Sequence, residues 1–76
     1  MDTYDNIQYY HHIKDGDIYA VFNYHDFSLY LECYSIVGQH SEVHKGYINE
    51  SKKLNKNNKL VQALKAELKS IGYKFV

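Results

Sequence analysis

The sequence predicts an α+β domain: an antiparallel β-meander of three or four strands with one C-terminal amphipathic helix packed on one face, in two layers. Three observations predict it. Residues 7–14 and 17–24 alternate in polarity about Asp15-Gly16. A second consistent register follows about His25-Asp26. Leu60, Leu64, Leu68 and Ile71 recur at helical spacing near the C-terminus.

In residues 7–14, Ile7, Tyr9, His11 and Ile13 share one face and Gln8, Tyr10, His12 and Lys14 the other. Asp15-Gly16 is a strong hairpin signal, because a type I′ turn needs positive φ at both central positions. A two-residue loop there pairs Lys14 with Asp17, Ile13 with Ile18, Tyr10 with Val21 and Tyr9 with Phe22. A two-residue loop at His25-Asp26 then pairs Tyr24 with Phe27, Phe22 with Leu29, Ala20 with Leu31 and Ile18 with Cys33. Neither His25 nor Asp26 takes the left-handed conformation as readily as glycine, so this turn is the weaker of the two. The third strand is expected over residues 27–37, a loop over 38–42 and a fourth strand over 43–50, centred on Tyr47 and Ile48. Residues 51–58 are rich in lysine and asparagine and read as a linker or an early helical turn.

Asn58 is a suitable N-cap for a helix over residues 59–71. Its stripe of Leu60, Leu64, Leu68 and Ile71 is widened by Val61, and Gly72 stands where left-handed geometry stops helices. Tyr73–Val76 is an apolar tail suited to an edge strand. The whole, residues 1–76, reads as a single small domain with its sheet over about 7–50. Such short chains bury only about 60% of their unfolded surface, so they fold with little to spare.

Charge divides the chain. Residues 1–50 hold Asp2, Asp5, Asp15, Asp17, Asp26, Glu32, Glu42 and Glu50 against Lys14 and Lys45; residues 51–76 hold Lys52, Lys53, Lys56, Lys59, Lys65, Lys69 and Lys74 against Glu67. The formal net charge of zero therefore conceals an acidic, tyrosine-rich part and a basic one. There is no arginine, so phosphate or guanine contacts would rest on lysine point charges without the bidentate guanidinium fork.

In the expected register the sheet face turned away from the helix carries Tyr10, Tyr19, Tyr30 and Tyr34, with Asp17 and Glu32 among them. An aromatic, acidic water face is unusual, since antiparallel sheets ordinarily make that side polar, and tyrosine is enriched at interfaces. These six residues are the candidate partner-binding site. The basic alternative comprises Lys52, Lys53, Lys56, Lys59, Lys65 and Lys69. His40 and His44 have the H-x3-H spacing of zinc ligands, but no second ligand pair accompanies them, so no metal is expected. Cys33, the single cysteine, is expected inward as a small hydrophobe. No glycine-rich phosphate loop or nucleophile–base constellation is present, so neither catalysis nor a cofactor is expected. The meander followed by a helix resembles the β-β-β-α part of double-stranded RNA-binding domains, with Ser51-Lys52-Lys53 at the place of that family's basic helix start. The resemblance covers less than half of the chain and lends no residue a role.

The functional expectation is a small non-enzymatic protein-binding module, an inhibitor or adaptor of phage or mobile-element type, acting through the tyrosine face on a protein partner or a second copy. The size and the AT-rich residue usage motivate the phage assignment. The alternative is a nucleic-acid-binding domain using residues 52–69. A lone thiol, an acidic polar N-terminus and the lack of long apolar runs lead to an expected cytoplasmic location with no membrane partner.

Overall fold

The computed structural model describes residues 3–4 and 7–75. In chain order the elements are β1 (Thr3–Tyr4), β2 (Gln8–His12), β3 (Ile18–Val21), β4 (Tyr30–Ser35), β5 (Gln39–His44), α1 (Lys45–Asn49), β6 (Ser51–Leu54), α2 (Lys59–Ser70) and β7 (Lys74–Phe75). Five strands form an antiparallel sheet in the order β5-β4-β3-β2-β6. The fold is α+β, with α2 as its C-terminal helix.

Helix α2 starts where Asn58 accepts the Leu60 amide on its Oδ1 at 2.8 Å, filling one of the orphan donors of the first turn. It ends before Gly72, whose φ of +102° is glycine territory. Its buried residues are Val61, Leu64 and Leu68. Leu60 and Ile71, the ends of the expected stripe, remain exposed. The inward stripe is thus shorter than the sequence spacing implies, and its mid-line passes through Val61. It packs on Tyr9, Ile18, Ala20, Phe22 and Tyr34.

The first hairpin keeps its expected faces but not its register. Tyr9 lies opposite Ala20 and Tyr10 opposite Tyr19, two residues from the expected pairing. The turn spans residues 13–16, closed by His12 N–H to Asp17 O at 2.8 Å and Gly16 N–H to His12 O at 2.9 Å. Only Gly16 takes positive φ, at +73°, and His12 Nδ1 accepts the Asp15 amide at 3.1 Å. A tight I′ turn would need that conformation at Asp15 as well. Because a two-residue shift preserves the side-chain alternation, the inward set survives.

The second hairpin does not keep its faces. Ala20 lies opposite Tyr34 and Val21 opposite Cys33, a shift of three from the expected register. An odd shift turns a strand over. Tyr34 therefore joins the core under α2, and Leu31 and Cys33 move to the opposite side. The cause is the turn. Asn23 takes left-handed geometry (φ +50°), and β3 opens into a loop over residues 22–29 in place of a two-residue turn at His25-Asp26.

Three further segments differ from expectation. Residues 39–44, read mostly as loop, form edge strand β5 behind a turn in which Gly38 has a φ of +92°. Tyr47 and Ile48 lie on helix α1, not on a strand; His44 Nδ1 caps that helix by accepting the Gly46 amide at 2.9 Å. Ser51–Leu54 is a strand paired with β2, not a linker or the helix start that the RNA-binding resemblance implied. The C-terminal tail does add a strand, β7, but it pairs in parallel with β1 in a separate two-stranded sheet. Val76 lies outside the described residues.

The second sheet face is covered. Tyr10, Tyr19, Val21, Leu31, Cys33 and Val43 are buried there with Ile48 of α1, and Tyr24 and Tyr47 pack against them. Hence the sheet has apolar residues buried on both sides, and the expected aromatic water face is largely a second core.

Candidate functional site

The six residues expected to form a docking face are not brought together on the surface. Tyr10 and Tyr19 stack with ring centroids 5.7 Å apart at 25°, both buried. The Tyr19 hydroxyl shares a 2.6 Å hydrogen bond with Ser51 Oγ, and burial drives its pKa far above the ordinary phenol value. Tyr34 is buried on the other side, its pKa raised by burial and then by the Glu67 carboxylate. Asp17 is half-buried and accepts the Ser35 hydroxyl at 2.6 Å. Glu32 is half-buried beside His40 Nε2 at 3.0 Å. Tyr30 alone of the four tyrosines is exposed, at 58%.

The lysines are dispersed. Lys52 lies opposite His11 and Lys53 opposite Tyr10 on β2, so strand alternation sends their side chains to opposite faces of the sheet. Lys56 and Lys59 are exposed at the approach to α2, Lys69 is exposed near its end and Lys65 is half-buried. Among the described residues no three of His, Cys, Asp and Glu converge as metal ligands. His44 uses Nδ1 as a helix cap and His40 meets Glu32.

Two surface features stand out instead. The first is the loop over residues 22–29. Phe27 is 95% exposed and Leu29 66%, next to Tyr30. Their segment is clipped to the start of α1. The Lys45 amide donates to Leu29 O at 2.9 Å, and the Lys45 ammonium lies 3.8 Å from Asp26 and 6.0 Å from the Tyr24 ring centroid. Inside the loop, His25 Nδ1 accepts the Phe27 amide at 3.2 Å. The expected register sets Phe27 opposite Tyr24 and Leu29 opposite Phe22 on a strand, whereas both lie exposed in the loop. The signal against that register was local: without glycine, His25-Asp26 is a poor two-residue turn.

The second feature is a pocket of about 380 Å³ on the α1 side of the sheet, where that short helix stops covering β4 and β5. It is lined by Asp17, Tyr19, Tyr30, Cys33, Ser35, Gln39, Ser41, Glu42, Val43, His44 and Tyr47. Tyr47 stacks on buried His12 with centroids 3.8 Å apart at 16°, and its hydroxyl donates to Asp15 Oδ2 at 3.2 Å. Burial first, and that carboxylate second, push the Tyr47 phenol up to about 12. No sequence signal singled out this site, because its shape depends on α1 and on the turned-over β4.

Cys33 lines the pocket, within 3.5 Å of Ser41 Oγ. Burial raises its pKa, and the Asp17 and Glu32 charges add to that against the lowering bonds from Ser41. The thiol is held protonated and is a weak nucleophile. Reaction of the native chain with a bulky aromatic disulfide reagent near neutral pH is expected to be slower than that of a free thiol by about 100-fold or more. In denaturant it should become fast. A native rate within a few-fold of the free thiol would contradict the burial.

Comparison with protein-family models, with curated proteins and with solved structures finds no match for the chain. No helix among the described residues is long and apolar enough to cross a membrane.

Proposed function

We propose that the protein is a small non-enzymatic protein-binding module of the inhibitor or adaptor type, docking through the β3–β4 loop and the adjoining Tyr30. The observation that carries this reading is the exposure of Phe27, Leu29 and Tyr30 along one short segment. Large apolar side chains that leave the core unaided are costly to keep wet, and a group of them on a loop marks a contact surface. The Lys45 clip supports it further, since a loop held before binding loses less entropy on docking. The acidic, tyrosine-rich character expected of the site persists in reduced form through Asp26 and Tyr30. Tyr10 and Tyr19 serve stability in this reading and do not touch the partner.

The small size and arginine-free composition suit a protein of phage or mobile-element type acting against host defence. The buried unpaired thiol of Cys33 suits the cytoplasm. The partner is a protein or a second copy of this chain.

Phe27→Ala is expected to weaken association by about 2 kcal/mol, as interface anchors do, while leaving the unfolding midpoint within ~0.5 kcal/mol of the parent. Pull-down from the native host and sedimentation of the purified chain check the two kinds of partner. If Phe27→Ala and Tyr30→Ala associate normally, while charge reversal at Lys56 and Lys59 abolishes a strongly salt-dependent binding, the nucleic-acid reading replaces this one.

A further inference from the structure

The pocket beneath Tyr47 has an uncompensated charge. Asp17 is its carboxylate, since Glu42 lies opposite Glu32 and strand alternation turns both to the other side of the sheet, and no lysine lines the pocket. Asp17 forms no ion pair among the described residues: the pairs there are His12–Asp15, Lys14–Glu50, His40–Glu32 and Lys45–Asp26. Asp17 is half-buried, and its one described side-chain contact is the Ser35 hydroxyl on Oδ1. A neutral hydroxyl stabilises such a charge less than a cation does.

The remaining lining fits a cation that also donates hydrogen bonds. Tyr19, Tyr30 and Tyr47 supply aromatic surface. The phenols of Tyr19 and Tyr47 already donate or share their protons with Ser51 and Asp15, so their rings are fixed before any ligand arrives. Cation–aromatic attraction grows when the cation is partly desolvated, as in a recess of this kind. Ser41 and Gln39 offer further oxygen acceptors at the rim. An ammonium group carries three donors and a positive charge, whereas a phosphate or carboxylate would meet the like charge of Asp17. The volume of about 380 Å³ accepts a side chain or a small ligand and no larger body.

We propose that this pocket receives a lysine side chain of the protein partner, its ammonium against Asp17 and its methylene stem along Tyr19, Val43 and Tyr47. The source follows from continuity. Tyr30 belongs both to the pocket and to the exposed segment with Phe27 and Leu29, so a partner seated on that segment reaches the pocket with a neighbouring residue. The inference therefore rests on the docking reading for its source of lysine, but the pocket's chemistry does not.

N-acetyl-lysine methylamide, titrated into the full chain and followed by the amide and tyrosine-ring NMR signals, tests the pocket without any partner. Saturable shifts confined to Tyr19, Cys33, Ser41, Tyr47 and their neighbours are expected. The uncharged norleucine analogue should bind at least about tenfold more weakly. Asp17→Asn keeps a group able to accept from Ser35 and should remove the preference for lysine with the amide spectrum still dispersed. Tyr47→Ala, which removes the ring along which the stem lies, should weaken the lysine and norleucine probes alike. Phe27→Ala should bind the probe as the parent does, so failure of the docking surface and failure of the pocket read separately. Equal binding of the lysine and norleucine probes, or no saturable shift with either, overturns the proposal. Binding of butylammonium without binding of the lysine probe also overturns it, in favour of a free amine.

Discussion

Replacing Leu64 with alanine is expected to destabilise the protein by about 3–5 kcal/mol, the upper part of the usual range for a buried leucine. Its side chain is fully buried and shares the core between α2 and the sheet with Phe22, Ala20 and Tyr9. Tyr9 and Ala20 are held by strand pairing on β2 and β3, and Phe22 by its amide donating to Glu32 O at 2.9 Å, so they cannot fall into the space left behind. A chain of this length has only about 4–11 kcal/mol of stability in total, at roughly 0.05–0.15 kcal/mol per residue. One truncation thus removes a large share of it, and urea unfolding should show the midpoint falling with little change in slope. Leu60→Ala is the control. That residue is 44% exposed, and its truncation is expected to cost less than about 1 kcal/mol. Equal losses for the two would mean that α2 packs through a different face.

The contrast between Leu60 and Leu64 shows how far sequence reasoning reaches here. Helical spacing places both on one stripe, and Asn58 and Gly72 mark the ends of the helix well, because caps are local chemistry. Which residues of the stripe are covered depends on where the sheet ends, and that is not local. The first hairpin tolerated a wrong turn length because the error was even: Tyr9, Ile18, Ala20 and Phe22 stayed inward. The second did not, because its error was odd, and so Tyr34 and Cys33 exchanged sides. Strand β6 carries Lys52 and Lys53 in four residues and lacks an alternating apolar pattern; it exists through pairing with β2, some forty positions earlier in the chain. Helix α1 is too short to show a period, and Tyr47-Ile48 resembles strand composition. Of the candidate site, Asp17 and Tyr30 were legible by residue type, whereas the pocket and the exposure of Phe27 follow from those non-local events.

Raising the pH above about 10 is expected to unfold the protein cooperatively, with tyrosine ionisation as the driving event. Burial raises the phenol pKa of Tyr9, Tyr10, Tyr19, Tyr34 and Tyr47 above the ordinary 10.0, to about 12 for Tyr47. In the unfolded chain these groups lose their protons near the ordinary value. Between that value and the raised ones, the unfolded state therefore binds fewer protons than the native state, and stability falls as pH rises. The contribution is complete below pH 10 and is lost progressively as pH climbs through the raised native values. The five groups lie on both sides of the sheet, Tyr9 and Tyr34 toward α2 and Tyr10 and Tyr19 toward α1. Tyrosinate absorbance and far-ultraviolet circular dichroism should then change together if the two cores melt as one unit. Tyr19→Phe removes the most strongly raised of the group and should make the alkaline decline shallower, even though it also loses the bond to Ser51. Ionisation of all nine tyrosines at the ordinary value with the circular dichroism unchanged would be incompatible with two buried aromatic cores. Ionisation in two stages, with Tyr10, Tyr19 and Tyr47 first, would instead show that the face under the short helix opens while α2 still holds the other.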